Sequence, residues 1–313
     1  MSRPDAQQPE TSARERAEDP TRVRFDAGYR RRLDTLVLRL DTARRRIEAS
    51  GRAREMGVGE EWVGFRPYRP GDDPRRMDWQ LLARLDRPFV RVTRREASER
   101  WLVLLDSSAS MGLGRPAKLQ AAAEVAAAWA AFGLRSGAEV RLRAAGRGEP
   151  PRTFDRPARV PELLAWFESL EAAGAHAAKV ADLGPELDRA GRVLVLTDLH
   201  GDPSPRLFEV ARRRRVAVVQ VLAGVELDPP LGAVRLVDPE TGRAHEVAVD
   251  ERLHGRYSAE LSRRLERWRV SLSRHGIAHC VHPATQRFEE TLEAVVLGTR
   301  RGHSAAVRPA GRR

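Results

Sequence analysis

Apolar positions along the chain fall into two patterns. Trp101-Leu102-Val103-Leu104-Leu105 is an unbroken run that stops at acidic and small polar residues, and Val193 to Thr197 and Val216 to Leu222 read the same way. Short apolar runs bounded by turn residues suit strands buried on both faces, the middle of a parallel sheet. Between them the spacing turns helical. Leu33, Leu36, Val37, Leu40 and Ile47 predict a helix over Tyr29–Ser50, and Leu119, Val125, Ala126, Trp129 and Phe132 predict one over Lys118–Phe132. Further helices are expected after Pro161, over Pro203–Arg215, over Glu251–Arg274 with Leu253, Tyr257, Leu261, Leu265 and Trp268 on one face, and over Phe288–Leu297. Ala138–Ala144 alternates, as a half-exposed strand near an edge does, and Ile277–Val281 is the last strand. Val234–Asp238 and His245–Val249 flank DPETGR, a hairpin turn. Strands alternating with helices predict a Rossmann-like α/β domain with a central, mostly parallel sheet.

The first apolar run ends in candidate chemistry. Asp106, Ser108 and Ser110 are spaced two apart, with small residues between them. The second run ends in Asp198. In open α/β sheets ligands sit beyond the carboxyl ends of strands, so Asp106 and Asp198 are expected to face one crevice. Two carboxylates so placed repel unless a cation or proton lies between them. Carboxylates with hydroxyls make a hard oxygen set, suited to Mg²⁺ or Mn²⁺. The same stretch also reads as a serine-rich turn in which Ser110 or Asp106 caps the next helix.

Composition narrows the classes. The 313 residues are 41% hydrophobic and 32% charged, a globular balance, and no apolar run approaches a membrane span. The polar N-terminus lacks the apolar core of a signal peptide, and the single cysteine, Cys280, fits a reducing compartment, so a cytoplasmic location is expected. The net charge of +12 invites a nucleic-acid reading, but all but two of the 56 basic residues are arginine, spread along the whole chain. That is a genome-level arginine bias rather than a footprint, and sequence-specific nucleic-acid binding is not expected. The basic surface still predicts attraction to acidic partners or anionic headgroups. His275, His279, Cys280 and His282 resemble a zinc cluster, but alternate residues of a strand point to opposite faces, so they are not expected to converge.

A second informative stretch runs from Gly57 to Glu96. Asp72 or Asp73 is placed to cap a helix starting at Pro74, and Trp62, Phe65, Tyr68 and Trp79 are expected to pack a small subdomain. Gly57, Gly59, Glu61, Arg66, Tyr68, Gly71, Asp72, Asp73, Arg75, Asp78, Trp79 and Arg84 together resemble the signature of the bacterial family "domain of unknown function 58". Asp106-x-Ser108-x-Ser110 resembles the start of the metal-ion-dependent adhesion site of von Willebrand factor type A domains, which follow that signature in the family.

Low apolar content predicts residues 1–28 as a disordered tail, and 299–313 read as a basic tail; between them the resemblance implies 29–98 as an N-terminal helix and signature subdomain and 99–298 as a von Willebrand A-like domain. It implies metal ligation by Asp106, Ser108, Ser110 and Asp198. The second metal loop normally offers a threonine after glycine, and here Gly174-Ala175-His176 has no hydroxyl. Mg²⁺ or Mn²⁺ is therefore expected to bind weakly or not at all. The implied function is a non-enzymatic interaction module, partnered by a MoxR-type AAA ATPase, an acidic protein ligand, or both. A metal-dependent phosphohydrolase is the alternative. It would place a second Asp where Ser108 stands and would need a lysine, and neither Lys118 nor Lys179 follows a suitable strand. A basic adapter for nucleic acid or anionic surfaces is the third reading.

Overall fold

The computed structural model describes residues 22–49, 61–68, 77–94, 99–145, 150–174, 184–199 and 205–297. Of the signature, Gly57, Gly59, Gly71, Asp72, Asp73 and Arg75 lie outside these residues, as do Ala175 and His176. The chain divides into two compact units, one of residues 39–99 and one of residues 1–38 with 100–313.

Helix α1 (Ala27–Ala49) begins in the larger unit and ends in the smaller. The smaller unit adds β1 (Glu61–Pro67), α2 (Trp79–Leu85) and β2 (Phe89–Arg94). β1 and β2 pair antiparallel, with an irregularity between Trp62 and Gly64. Asp78 caps α2 by accepting from the amides of Gln80 and Leu81, so the described helix starts five residues beyond Pro74. Trp79 was expected to pack. It is 64% exposed, because the cap at Asp78 fixes it in the first turn of a helix that buries no residue.

The larger unit continues with β3 (Arg100–Asp106), α3 (Lys118–Arg135), β4 (Glu139–Ala145), β5 (Arg152–Phe154), α4 (Val160–Glu168), α5 (Gly184–Arg189) and β6 (Arg192–Thr197). It ends with α6 (Pro205–Ala211), β7 (Arg215–Leu222), α7 (Gly224–Leu227), β8 (Gly232–Val237), β9 (Ala244–Val249), α8 (Glu251–Arg274), β10 (Ala278–Pro283) and α9 (Phe288–Leu297). Six strands form one sheet in the order β10-β7-β6-β3-β4-β5. Five are parallel and the edge strand β5 is antiparallel. β8 and β9 form the separate hairpin the sequence predicts. The fold is thus α/β with a central, mostly parallel sheet. Its strand order reverses between β3 and β6, the point where doubly wound sheets open a crevice.

β3 owes its central place to its apolar run, for every residue from Trp101 to Asp106 is buried. α3 packs over it, and its alanines permit a close approach. Closest is Gly133, where an added Cβ would lie 2.6 Å from the Trp101 ring. The tail expected through residue 28 ends earlier, since Val23 and Phe25 are buried. Phe25 stacks on Tyr29 at 4.6 Å and meets Phe167 edge-on, and Tyr29 packs against Phe288. Aromatic burial holds residues 22–38 against α4 and α9, which the polar sequence around Val23 and Phe25 had not suggested. On α8 the expected apolar face is only partly covered: Trp268 is buried, while Tyr257 is exposed.

Candidate functional site

The four oxygen-bearing residues predicted from sequence meet at the carboxyl rim where the strand order reverses. Asp106 ends β3, and its Oδ1 accepts the Ser108 amide at 3.0 Å. Ser108 lies in the turn before a short 3₁₀ segment, Ala109–Gly112, that carries Ser110. The two serine hydroxyls are 3.1 Å apart. Ser110 Oγ then donates to Asp198 Oδ2 at 2.8 Å, closing the circuit between β3 and β6. Asp106, Ser108, Ser110 and Asp198 are all buried.

Five residues outside the predicted set complete the cluster. Thr197 donates its hydroxyl to Asp106 Oδ2 at 2.9 Å. Lys118, the first residue of α3, places Nζ 2.9 Å from Asp198 Oδ2 and 2.8 Å from Glu226 Oε1 on α7. Glu226 Oε2 accepts the Ala223 amide at 2.7 Å, which ties the start of α7 to the same network. Gln220 Nε2 donates to the Asp198 carbonyl at 3.2 Å, and His279 Nε2 lies 3.2 Å from Gln220 Oε1. The expectation that no lysine serves this rim is therefore corrected. Lys118 follows no strand, but the helix start brings its side chain back over the strand ends. A signal was available: lysine at a helix start opposes the helix dipole, and such a residue needs carboxylates nearby.

The segment expected to form a second metal loop does reach the first. The Ala173 amide donates to the Ser107 carbonyl at 2.9 Å, and the Ala109 amide donates to the Gly174 carbonyl at 3.0 Å. The contact is backbone to backbone. Gly114 makes a second close approach, with φ +97 and a would-be Cβ 2.8 Å from Ala223 Cβ. It brings the loop before α3 against the end of β7.

The donor set does not fit a directly ligated divalent ion as arranged. Asp198 Oδ2 already accepts from both Ser110 and the Lys118 ammonium, so a metal could reach that oxygen only by displacing them, and the Lys118 and Asp198 side chains are fully buried. Among the described residues no group of three or more His, Cys, Asp or Glu side chains is placed to hold a metal. The histidines and cysteine near β10 face separate partners. His282 Nδ1 lies 2.8 Å from Thr291 Oγ1, and burial lowers its pKa to about 4. His275 stacks on Phe208, and burial pushes the Cys280 thiol up to about 12.

The family model described as "Protein of unknown function DUF58" matches residues 64–267. The chain belongs to this family. Among curated relatives, "Uncharacterized protein Rv1480" of Mycobacterium tuberculosis (strain ATCC 25618 / H37Rv) and "Uncharacterized protein Mb1516" of Mycobacterium bovis are each 34% identical over 212 residues. The match spans 63% of this DUF58 chain and 66% of each relative, just under two thirds of their length. Among solved structures, BatB from Bacteroides thetaiotaomicron aligns with a TM-score of 0.38 at 11% identity, over 64% of this chain and 98% of that one. An aerotolerance-related membrane protein from Bacteroides fragilis NCTC 9343 aligns with a TM-score of 0.35 at 14% identity, over 64% and 100%. No helix among the described residues is long and apolar enough to cross a membrane.

Proposed function

We propose that this DUF58 chain is a non-enzymatic protein–protein interaction module. Its binding face is the carboxyl rim of the sheet, and the Asp106–Ser108–Ser110–Asp198 cluster is a degenerate adhesion site of the von Willebrand A type. The observation that carries this reading is the engagement of Asp106 within the cluster. Asp106 spends both oxygens on the Ser108 amide and the Thr197 hydroxyl, which braces the rim loops and leaves that carboxylate buried and engaged. A rim built this way presents loops to a partner. The family resemblance suggests a MoxR-type AAA ATPase in cytoplasmic complex maturation, and the basic surface favours an acidic face on that partner.

The test is co-purification with the MoxR-type ATPase of the same genome. Leu113, 42% exposed beside the rim, is the residue to change. A complex weakened by Leu113→Asp is the expected result. No complex, or one indifferent to that substitution, overturns the rim as the binding face.

One observation favours a second reading. Lys118 supplies near Asp198 the ammonium that a phosphohydrolase would use against phosphate charge. Its full burial and the engaged oxygens of Asp106 weigh against that role. Phosphate release from p-nitrophenyl phosphate with Mg²⁺, abolished by Asp106→Asn, would establish the hydrolase.

A further inference from the structure

We propose that the Lys118 ammonium is the resident cation of the rim, so that the cluster holds together and works without a divalent ion. The proposal deepens the reading of the rim given above. Its first support is geometric. The ammonium stands within hydrogen-bond distance of two carboxylates from different segments, at 2.9 Å from Asp198 and 2.8 Å from Glu226. It also shares the Asp198 oxygen with Ser110, the place a metal bound by Ser110 and Asp198 would take.

The division of hydrogen-bond partners points the same way. Asp106 is held by neutral donors, an amide and a hydroxyl. Asp198 and Glu226 are left for the cation, and Lys118 serves both.

The third support comes from the choice of residue. In a chain where all but two of 56 basic residues are arginine, this position keeps lysine. An ammonium is a compact point charge with three rotatable donors, whereas a guanidinium is a wide planar fork. Only the former suits a fully buried slot between an aspartate, a glutamate and a serine loop.

A tethered cation also explains the second loop. Ala175 carries no hydroxyl to offer a metal, and its neighbours Ala173 and Gly174 dock by backbone alone. Lys118 thereby clasps the start of α3, the tip of β6 and α7. Tyr257 extends the clasp to α8 by donating its hydroxyl to the Glu226 carbonyl at 2.6 Å. The rim is then permanently assembled rather than switched by an ion, and recognition through it resists chelators.

The experiment is a Mn²⁺ titration of the full chain followed by electron paramagnetic resonance. The wild type is expected to bind no stoichiometric ion up to about 1 mM. One bound Mn²⁺ per chain, lost on Ser108→Ala with Ser110→Ala, overturns the proposal. In Lys118→Met the vacated charge is expected to raise Mn²⁺ affinity at least about tenfold over wild type. A folded Lys118→Met whose Mn²⁺ response equals wild type overturns the interchange of the two cations. Should the variant not fold alone, refolding by Mn²⁺ is the expected result, and failure of Mn²⁺ to refold it counts against the proposal. Neither arm contains a partner protein, so this inference and the interaction reading can fail separately.

Discussion

Ser110 and Asp198 lie 88 residues apart in sequence, yet the serine hydroxyl donates to the aspartate across 2.8 Å in a buried position. The bond joins the tips of β3 and β6, neighbours in the sheet that the chain reaches only after passing through β4 and β5. It makes the rim a tertiary structure rather than a local turn.

Asp198→Ala should therefore be among the most destabilising single changes in the chain. It removes a partner of the fully buried Lys118 ammonium and the acceptor of Ser110. Breaking one side of a buried ion pair costs about 3–5 kcal/mol. Urea unfolding of the variant should show the midpoint falling accordingly. A change below about 1 kcal/mol would mean that the pair is solvated in solution.

Lys118→Arg keeps the charge and should still destabilise. The slot is closed on every side, and the wider fork must displace Ser110 or the chain around Ala223 to enter it. Overpacking of this kind costs about 1–3 kcal/mol. A melting temperature equal to wild type would show that the slot is looser than its burial implies.

Much of this fold was legible because its signals are local. The unbroken run Trp101–Leu105 announces a central strand, and Asp106 and Asp198 stand at the ends of such runs, so topology alone brings them near each other. Glu226 was not legible, and Lys118 only as a lysine oddly placed at a helix start. Each is a charged residue at a helix start, and its role depends on which strand tips the helices cross. Val23 and Phe25 escaped notice for a related reason: two apolar residues in a polar stretch carry no periodicity, and only tertiary packing, for Phe25 against Phe167 of α4, gives them a place. The short strand β5 was missed because three residues at a sheet edge are too few to show alternation.

Gly133→Ala tests the packing of α3 on β3. Alanine is the better helix former, by about 1 kcal/mol. Here the added methyl would meet the Trp101 ring at 2.6 Å, and that ring is fixed by Trp129 at 4.4 Å and by Phe132. The clash should outweigh the propensity gain, leaving a net loss of about 1–2 kcal/mol in chemical denaturation. A stabilised variant would show that Trp101 is free to move.

His282 should make stability fall in mild acid. Burial lowers its pKa to about 4, from an ordinary value near 6.5. The unfolded chain therefore binds the proton more readily than the folded one, and protonation favours unfolding. The contribution is complete above about pH 6.5 and is lost as pH falls toward 4, with about 2 kcal/mol gone by pH 5. Unfolding free energies at pH 7 and pH 5 should show a smaller difference in His282→Gln than in wild type. Equal differences would place the titrating groups elsewhere.

Cys280 offers a clean reporter of global opening, because it is the sole cysteine in the chain. It is buried in β10, where desolvation pushes the thiol up to about 12. At neutral pH the thiolate fraction is then on the order of one in 10⁵, and the thiolate is the form that attacks a disulfide reagent. The native chain should not react with Ellman's reagent over hours, while one thiol per chain should appear once urea unfolds it. Because β10 pairs with β7, and β7 with β6, labelling at intermediate urea should track the opening of the sheet edge beside the Asp198 tip. Coincidence of the labelling and circular dichroism transitions would mean that the sheet opens as one unit. Labelling at lower urea would mean that β10 detaches first, and Asp198→Ala should then leave that early step unchanged.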